Sequence, residues 1–347
     1  MTAKSPRSES PTDVAALVAA AVGDLAGAHP ESGLSVPVGG VISTGNAAID
    51  GVIGRGGLPT GCISVFVGEK GSGKTTAAME TCREVIEHGG LAIYLDAERK
   101  IRRDRVISLG INPDTPEWIF RRPDHIEGAI AALDRTLSTL KRVGSKRQVI
   151  AVLDSANATV SAAEKESKKE YRDVQPGTQA RAYSVAFRRF VGALGDSNAA
   201  ILVIGQLRSK IGMVRGAKWS IGVGNAIEFY SSLMVYFQHE GFERIDSDTP
   251  PFGIRVGIET VKNQISPPFV KSEYTIDFGL GGRCDQQRTL IEEALRRGVL
   301  SKVGTGWIVD PVTERKWNGL RRFKTALEED PALLAQIQDG VRARYGD

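Results

Sequence analysis

The sequence predicts an α/β fold in which a mostly parallel sheet is flanked by helices and continued by antiparallel strands. Short, uninterrupted apolar runs are typical of parallel strands that are buried on both faces. Here such runs recur between amphipathic helical patterns, as in βαβ units. Beyond residue 232, apolar and polar residues alternate instead, which is typical of antiparallel strands. The four buried strands are predicted at Ile63–Val67, Leu91–Leu95, Val149–Leu153 and Ala200–Ile204.

The elements between and after these strands follow from periodicity and from glycine stops. Helices are predicted between the strands, the first of them ended by Gly89-Gly90, at Lys74–His88, His125–Leu140 and Gln179–Leu194. The antiparallel strands are predicted at Leu233–His239, Ile254–Lys262 and Glu273–Phe278.

The two ends of the chain differ from this core. Residues 1–12 are rich in Ser and Pro and predict a disordered tail, whereas the Ala-rich stretch Thr12–Ala28 predicts an N-terminal helix. Gly279–Gly282 predicts a hinge, and a small helix–strand–helix unit is expected over Arg283–Asp347. We therefore expect an N-terminal region at 1–33, a core at 34–280 and a small α+β C-terminal domain at 281–347.

Composition narrows the class of protein. Of the 347 residues 41% are hydrophobic and 25% charged, which predicts a folded chain. No apolar run approaches the roughly 18 residues of a membrane-spanning helix, and the polar first ten residues predict no secretory signal. Cys62, Cys82 and Cys284 form no CxxC pair, so we expect reduced thiols with neither a disulfide framework nor a zinc site. The expected location is cytoplasmic.

Positive charge is concentrated in one internal segment. The formal net charge is only +4, but residues 164–218 contain 11 Lys or Arg against 5 Asp or Glu. A nucleic-acid contact surface leaves this pattern. A solvated helix face whose charges bind nothing would leave it too.

The strongest motif lies between the first predicted strand and helix. Residues 68–75, GEKGSGKT, fit the phosphate-loop pattern G-x-x-x-x-G-K-[ST] without a mismatch. Glycines let backbone N–H groups and the helix N-terminus face a phosphate. Lys74 is then expected to reach the β- and γ-phosphates of ATP, and Thr75 to offer its hydroxyl to Mg²⁺; the alternative is a chance Gly-rich turn. The predicted nucleotide-binding residues are Gly68, Glu69, Lys70, Gly71, Ser72, Gly73, Lys74, Thr75 and Thr76.

Three polar residues follow strands that end beside this loop. Asp154 occupies the place of a Walker B carboxylate, which acts on Mg²⁺ through water, or it caps the next turn. Glu98 could polarise an attacking water as a general base, and Gln206 could contact a γ-phosphate and report it to the loop that follows. Taken alone, Glu98 could equally be a solvated acid without a catalytic role. Gln206 could equally be an amide that only ends its strand.

The segment after Gln206 suits single-stranded DNA. Between Gly205 and Gly224, cations alternate with apolar side chains among five glycines, so phosphates can be neutralised while bases stack. No base-reading helix is evident, so we expect binding that is independent of sequence; the alternative is a mobile basic surface loop. The residues concerned include Arg208, Lys210, Ile211, Arg215 and Trp219.

Together these motifs resemble the bacterial and phage RecA recombinases. The similar stretches include ISTGNAAID, GLPTG, LDAE, VLDS, GQLRSKIG, GNAIEFY and VKNQISPPF, which run in the family's order from about Thr12 to the C-terminus. The resemblance implies a RecA-like P-loop ATPase core. It also implies an ATP-dependent recombinase that polymerises on single-stranded DNA, pairs it with homologous duplex and exchanges strands. Hydrolysis is then DNA-stimulated, with ATP and Mg²⁺ bound at subunit interfaces of a helical homo-oligomer.

The resemblance also assigns roles to residues. Glu98 looks like the catalytic glutamate, Gln206 like the γ-phosphate sensor, and Lys262 like a lysine that reaches ATP on the adjacent subunit. The N-terminal helix and Leu34–Val38 resemble a segment that docks on a neighbour, and single-strand-binding and loader proteins would be further partners. Segments 164–177 and 207–223 look like two DNA-binding loops, and the family's DNA-contacting positions fall on Arg181, Ser184, Arg188, Arg208, Ile211, Gly224 and Asn225. Arg172, in the first of these segments, is a further predicted DNA-binding residue.

Two alternative functions stay open, and two departures from the family pattern bear on the second of them. The family's second lysine beside Lys262 is Gln264 here, and a lysine of its GNA-x-KFY run is Glu228. One alternative is a hexameric helicase or another RecA-fold motor, which shares the phosphate loop but needs no long loop after Gln206. The other is a regulatory filament in which hydrolysis is vestigial.

Overall fold

The computed structural model describes residues 40–143, 145–156, 178–195, 197–209, 219–221 and 225–345. The predicted N-terminal helix, the segment Leu34–Val38 and most of the two predicted DNA-binding loops lie outside this range. The strands of the described part are β1 Val41–Ile42, β2 Leu58–Pro59, β3 Ile63–Gly68, β4 Leu91–Asp96, β5 Trp118–Arg121, β6 Val149–Asp154, β7 Ala199–Ser209, β8 Trp219–Ile221, β9 Leu233–Glu243, β10 Gly253–Asn263, β11 Lys271–Asp277, β12 Arg283–Cys284, β13 Ser301–Val303, β14 Trp307–Val309 and β15 Lys316–Asn318.

The described helices separate these strands. They are α1 Ala47–Ile53, α2 Lys74–Glu87, α3 Arg103–Ser108, α4 Ile126–Arg142, α5 Thr178–Leu194, α6 Asn225–Tyr230, α7 Gln286–Arg296, α8 Leu320–Glu329 and α9 Pro331–Ala343.

One large sheet carries the core, in the order β12-β11-β10-β9-β3-β7-β6-β4-β5, with β8 added to β7. The pairs from β9 through β3, β7, β6 and β4 to β5 are parallel. The pairs from β9 to β12 are antiparallel. The α/β class is therefore confirmed, together with the antiparallel extension. Because β3, β4, β6 and β7 run in the same direction, the residues that follow them gather at one edge of the sheet.

The two faces of this sheet bury separate apolar clusters, because side chains alternate along each strand. Phe66 and Tyr94 pack with α1 and α2 on one face, whereas Val65 and Ile93 pack with α4 and α5 on the other. All six residues of β3 and of β6 are buried. This burial explains the uninterrupted apolar runs of the sequence.

The C-terminal residues have an apolar cluster of their own. Phe323, Ile291 and Ile337 are completely buried between α7, α8 and α9. The predicted helix–strand–helix unit is richer than expected, since β13, β14 and β15 form a three-stranded antiparallel sheet between α7 and α8. These strands have only three residues each, too few for an alternating pattern to stand out.

The structure corrects the prediction of a loop that starts directly after Gln206. Strand β7 continues to Ser209, and β8 pairs with it antiparallel, Leu207 opposite Ile221 and Ser209 opposite Trp219. The β-branched and aromatic residues of β8 favour this ribbon. Sequence periodicity also missed the short elements α1, α3 and β5.

Candidate active site

The loop between β3 and α2 has the backbone conformation that a phosphate cradle needs. Gly71 and Gly73 adopt left-handed φ angles of +79° and +89°, which residues other than glycine rarely adopt. Nothing lies within 4 Å of a Cβ built on the exposed Gly71, so this part of the loop borders open space. Gly73 is the N-cap of the 14-residue helix α2, whose first N–H groups therefore point into this space.

Lys74 lies folded across the loop, with 5% of its surface exposed. Its ammonium donates to the carbonyl oxygens of Gly68 (2.9 Å) and Glu69 (2.5 Å) and to Ser72 Oγ (3.1 Å). Burial lowers the pKa of Lys74 to about 8, although nearby Asp154 and other carboxylates oppose the shift. The structure thus holds the ammonium of Lys74 against its own loop, and its contact with the β- and γ-phosphates stays a prediction.

Asp154 ends β6 and faces the start of α2. Its Oδ2 accepts hydrogen bonds from Thr75 Oγ1 (3.0 Å) and from the hydroxyl of the buried Tyr94 (2.6 Å). Burial raises the pKa of Asp154, and these two bonds oppose the shift. A hydroxyl and a carboxylate side by side are the oxygen donors that Mg²⁺ prefers. Thr75 and Asp154 therefore fit a magnesium ion that arrives on a nucleotide's phosphates.

Glu98 is the most heavily hydrogen-bonded acid of the site. Its Oε1 accepts from Ser155 Oγ (2.7 Å) and Gln206 Nε2 (2.5 Å), and its Oε2 accepts from Lys100 Nζ (2.5 Å). Burial raises the pKa of Glu98, but the bonds from Lys100, Ser155 and Gln206 outweigh burial, so the net shift is downward. An ionised carboxylate in this place can accept a proton.

Gln206 is placed beside the phosphate loop by strand register, since it lies opposite Gly68 in the parallel pair of β3 and β7. Its amide reaches across β6 to Glu98, which follows β4. Gln206 is also part of the ribbon-forming strand β7, three residues before Ser209. One amide therefore joins the acid of the site to the strand that leads into the basic segment.

Three of the predicted DNA-contacting residues share one face of a helix. Arg181, Ser184 and Arg188 follow one another at helical spacing along α5. Both arginines are exposed, and Arg188 Nε donates to Tyr230 OH at 3.5 Å. Arg208 lies on β7, Trp219 on β8 and Asn225 at the start of α6. The remaining candidates lie outside the described residues: Arg172, Lys210, Ile211, Arg215 and Gly224.

Lys262 is not brought to the phosphate loop of its own chain. It lies near the end of β10, and its ammonium donates to the backbone carbonyls of Glu228 (2.7 Å) and Phe229 (3.4 Å) of α6. Burial lowers the pKa of Lys262, with Glu228 opposing the shift. A role toward a neighbouring subunit stays a prediction.

Sequence reasoning missed four residues of this cluster. Tyr94 and Ser155 supply hydrogen bonds to Asp154 and Glu98, and Lys100 pairs with Glu98. Asp96, 1% exposed, accepts from the backbone N–H groups of Lys100 and Ile101 and so shapes the loop that carries Glu98. Alternation on β4 was the available signal, because it puts Tyr94 and Asp96 on the face of Asp154.

The parallel sheet and the phosphate loop at the carboxyl end of β3 define a phosphate-loop nucleotide-binding protein of the α/β class. Comparison with known sequences specifies the family. The profile described as the RecA N-terminal domain matches residues 33–282. Protein RecA of Methylobacterium sp. (strain 4-46) is 33% identical over 305 residues, 88% of this chain and 80% of that protein. Protein RecA of Syntrophus aciditrophicus (strain SB) is 33% identical over 306 residues, 88% of this chain and 84% of that one. This chain belongs to the RecA family.

A solved structure is also similar. The crystal structure of the RadB recombinase matches 70% of this chain and 97% of its own, with a TM-score of 0.48 and 18% identity, too little to add to the assignment. In the described part of the chain, no helix combines the length and the apolar composition that crossing a bilayer requires. Cys62, Cys82 and Cys284 are all free and buried.

Proposed function

We propose that this protein is an ATP-dependent homologous DNA recombinase. It polymerises on single-stranded DNA, pairs that strand with homologous duplex and exchanges strands, with DNA-stimulated hydrolysis of ATP to ADP and phosphate. The observation that carries the proposal is the hydrogen bond between Gln206 and Glu98. It links the acid beside the phosphate loop to the strand that enters the basic segment 207–223.

In this proposal the nucleotide is bound by the glycine loop and the N-terminus of α2. Lys74 contacts the β- and γ-phosphates, as its place in the phosphate-loop motif supports. Thr75 and, through water, Asp154 hold Mg²⁺, which neutralises phosphate charge when bound. The glycine loop, Lys74 and Thr75 orient the phosphates so that water can attack in line with the bond that breaks.

Hydrolysis requires a base for the attacking water. The oxygen of that water bonds to the γ-phosphorus while Glu98 accepts one of the water's protons. The bond between the γ-phosphorus and the oxygen that leaves with ADP breaks. Its lowered pKa keeps the carboxylate ionised at neutral pH. In the structure Oε1 accepts two hydrogen bonds and Oε2 accepts only the one from Lys100, so Oε2 is the oxygen with a lone pair left for the attacking water.

Gln206 is the coupling residue of the proposal. When its amide turns from Glu98 to a γ-phosphate, Glu98 loses one donor and the strand before the basic segment changes its contacts. Binding of ATP and binding of DNA are then linked in both directions, because such coupling is reciprocal. The switch we expect is a change in how the segment after Gln206 contacts DNA when the γ-phosphate is bound.

The partners and regions of the proposal follow the family. Single-stranded and homologous double-stranded DNA contact the two basic segments and the arginine face of α5. Residues 1–33 dock on a neighbouring subunit, 34–280 form the ATPase and DNA-binding core, and 281–347 the small C-terminal domain. Lys262 reaches ATP on the adjacent subunit of a helical filament in the cytoplasm.

The test is steady-state ATP turnover with and without homopolymer single-stranded DNA, with Lys74→Ala as the blank. We expect strong stimulation of the wild type by DNA and none in the variant. Turnover that DNA leaves unchanged would contradict the proposal and favour another RecA-fold motor. ATP binding without turnover would favour a regulatory filament.

A further inference from the structure

The ammonium of Lys100 lies at the edge of the site, in a place for which the sequence motifs provide no role. It donates to Glu98 Oε2 at 2.5 Å, on the opposite carboxylate oxygen from Ser155 and Gln206. The Lys100 side chain is 62% exposed, whereas that of Glu98 is 14% exposed. Lys100 is thus the outermost and least restrained of the three donors.

The backbone that carries Lys100 is nevertheless firmly held. The buried carboxylate of Asp96 accepts from the N–H groups of Lys100 (3.3 Å) and Ile101 (3.1 Å). Arg122 pairs with the same carboxylate at 3.5 Å and donates to the Ile101 carbonyl at 2.9 Å. Arg99, just before Lys100, has a left-handed φ of +55°, which is uncommon outside glycine. The fold thus fixes where the lysine starts and leaves its tip free to move.

A nucleotide's terminal phosphate would lie close to three carboxylates here. Asp96, Glu98 and Asp154 follow or end neighbouring strands at the same edge of the sheet. Lys74, the buried lysine of the loop, is shared among three oxygens of that loop. A triphosphate brings further negative charge to these carboxylates, and like charges in a partly buried site repel strongly. A second cation in the same chain would offset that repulsion.

The ion pair of Lys100 with Glu98 can be exchanged at little cost. The ammonium of Lys100 is largely in solvent, where water screens its attraction to the carboxylate. A terminal phosphate offers the ammonium three oxygens and more charge than one carboxylate. The flexible four-carbon stem of lysine permits such a move, whereas a fixed backbone hydrogen bond does not.

We propose that Lys100 is a cationic ligand for the terminal phosphate of the bound nucleotide, supplied by the same chain that binds it. Its ammonium moves from Glu98 to the phosphate, which favours binding of triphosphate over diphosphate. The move also removes the ammonium that competes with the attacking water for Glu98 Oε2. The inference rests on the proposed function, since it assumes ATP as the nucleotide. It gives the site a cation that requires no neighbouring subunit.

The test compares nucleotide affinities of the full chain. In the Lys100→Met variant, the dissociation constant for a non-hydrolysable ATP analogue with Mg²⁺ should rise about 10- to 100-fold, the effect of losing one charge-assisted hydrogen bond. Affinity for ADP should stay the same. Lys100→Arg should retain most of the preference for triphosphate, and Lys302→Met, an exposed lysine on β13, serves as the matched control.

Equal losses for ATP analogue and ADP, or no loss for either, would overturn the proposal. So would slower single-turnover hydrolysis at unchanged analogue affinity, because Lys100 would then act only through Glu98. These results differ from a failure of the proposed function. In that case the wild type itself would lack DNA-stimulated turnover or would not bind ATP.

Discussion

At the scale of single residues, Glu98 is held by donors from three different parts of the chain, the loop after β4, the end of β6 and β7. Such a carboxylate is fixed in position before substrate binds, which favours efficient proton transfer. Its neighbours also keep it ionised.

Replacement of this carboxylate tests its role as the base. Glu98→Gln should bind ATP as the wild type does and turn it over at least about 100-fold more slowly, the lower range for loss of a general base. Steady-state turnover, with affinity measured separately, gives the answer. Glu328→Gln, an exposed acid on α8, is the control, and near-normal turnover of Glu98→Gln would remove Glu98 from this role.

Asp50, on α1, is a buried acid to which the proposed function gives no role. Burial raises its pKa to about 7, although hydrogen bonds from Thr44 and Ser43 oppose the shift. The folded state therefore binds a proton that the unfolded state releases between about pH 4 and 7. Since the native pKa is raised, Asp50 makes the protein less stable as pH rises through this interval.

Asp50→Asn should remove that dependence. The amide keeps an oxygen for the Thr44 donors, and its NH₂ can donate to Ser43 Oγ. From pH 5 to pH 8, the variant's free energy of unfolding should rise by about 2–3 kcal/mol relative to the wild type. Urea unfolding at the two pH values measures the difference. A constant difference would mean that Asp50 titrates normally.

At the scale of elements, the parallel core could be predicted because its strands are buried on both faces and its loop is a full motif. The predicted β3, β4 and β6 each agree with the structure to within one residue. Tyr94 shows the limit: its apolar strand was predicted, but its bond to Asp154 spans 60 residues, and single-sequence periodicity contains no such information. Lys100 was missed for a similar reason, since a lysine in a basic, polar loop looks like a solvated charge.

The ribbon of β7 and β8 was missed because glycines and cations dominate the segment around it. The paired stretches, Leu207–Ser209 and Trp219–Ile221, have only three residues each, and cross-strand pairing decides their structure more than local propensity does. The ribbon places Gln206 within a continuous strand.

Gln206→Ala tests this strand as the connection between nucleotide and DNA. The variant should bind ATP normally, but an ATP analogue should no longer strengthen its affinity for single-stranded DNA. Fluorescence anisotropy with labelled homopolymer, with and without analogue, measures the coupling. Gln238→Ala, an exposed glutamine on β9, provides a control. Equal DNA affinities of the wild type in both conditions would sink the coupling itself.

At the scale of the whole molecule, one arginine ties the C-terminal helices to the core. Arg297, just after α7, donates to the carbonyls of Gly51 (2.9 Å) and Arg344 (2.5 Å) and pairs with the buried Glu293. Its guanidinium also lies over the ring of Tyr345, 5.0 Å from the centroid.

Arg297→Met should therefore weaken the whole fold. Loss of these bonds leaves carbonyls and a buried carboxylate short of donors, which costs about 2–4 kcal/mol of unfolding free energy. Urea unfolding measures it, with the exposed Arg321→Met on α8 as control. A cost below about 0.5 kcal/mol would mean that the attachment depends on apolar packing alone.

The pairing of Ser209 with Trp219 has a consequence for the basic segment between them. Directly paired residues of an antiparallel ladder have Cα atoms about 5 Å apart. The pairing of Ser209 with Trp219 therefore fixes the distance between the two points where residues 210–218 are attached to the sheet. Because the ribbon already holds the two ends together, adding a few residues between them should cost little more conformational entropy. A change in the length of the segment should therefore disturb the sheet less than a change at Ser209 or Trp219, where the segment is attached.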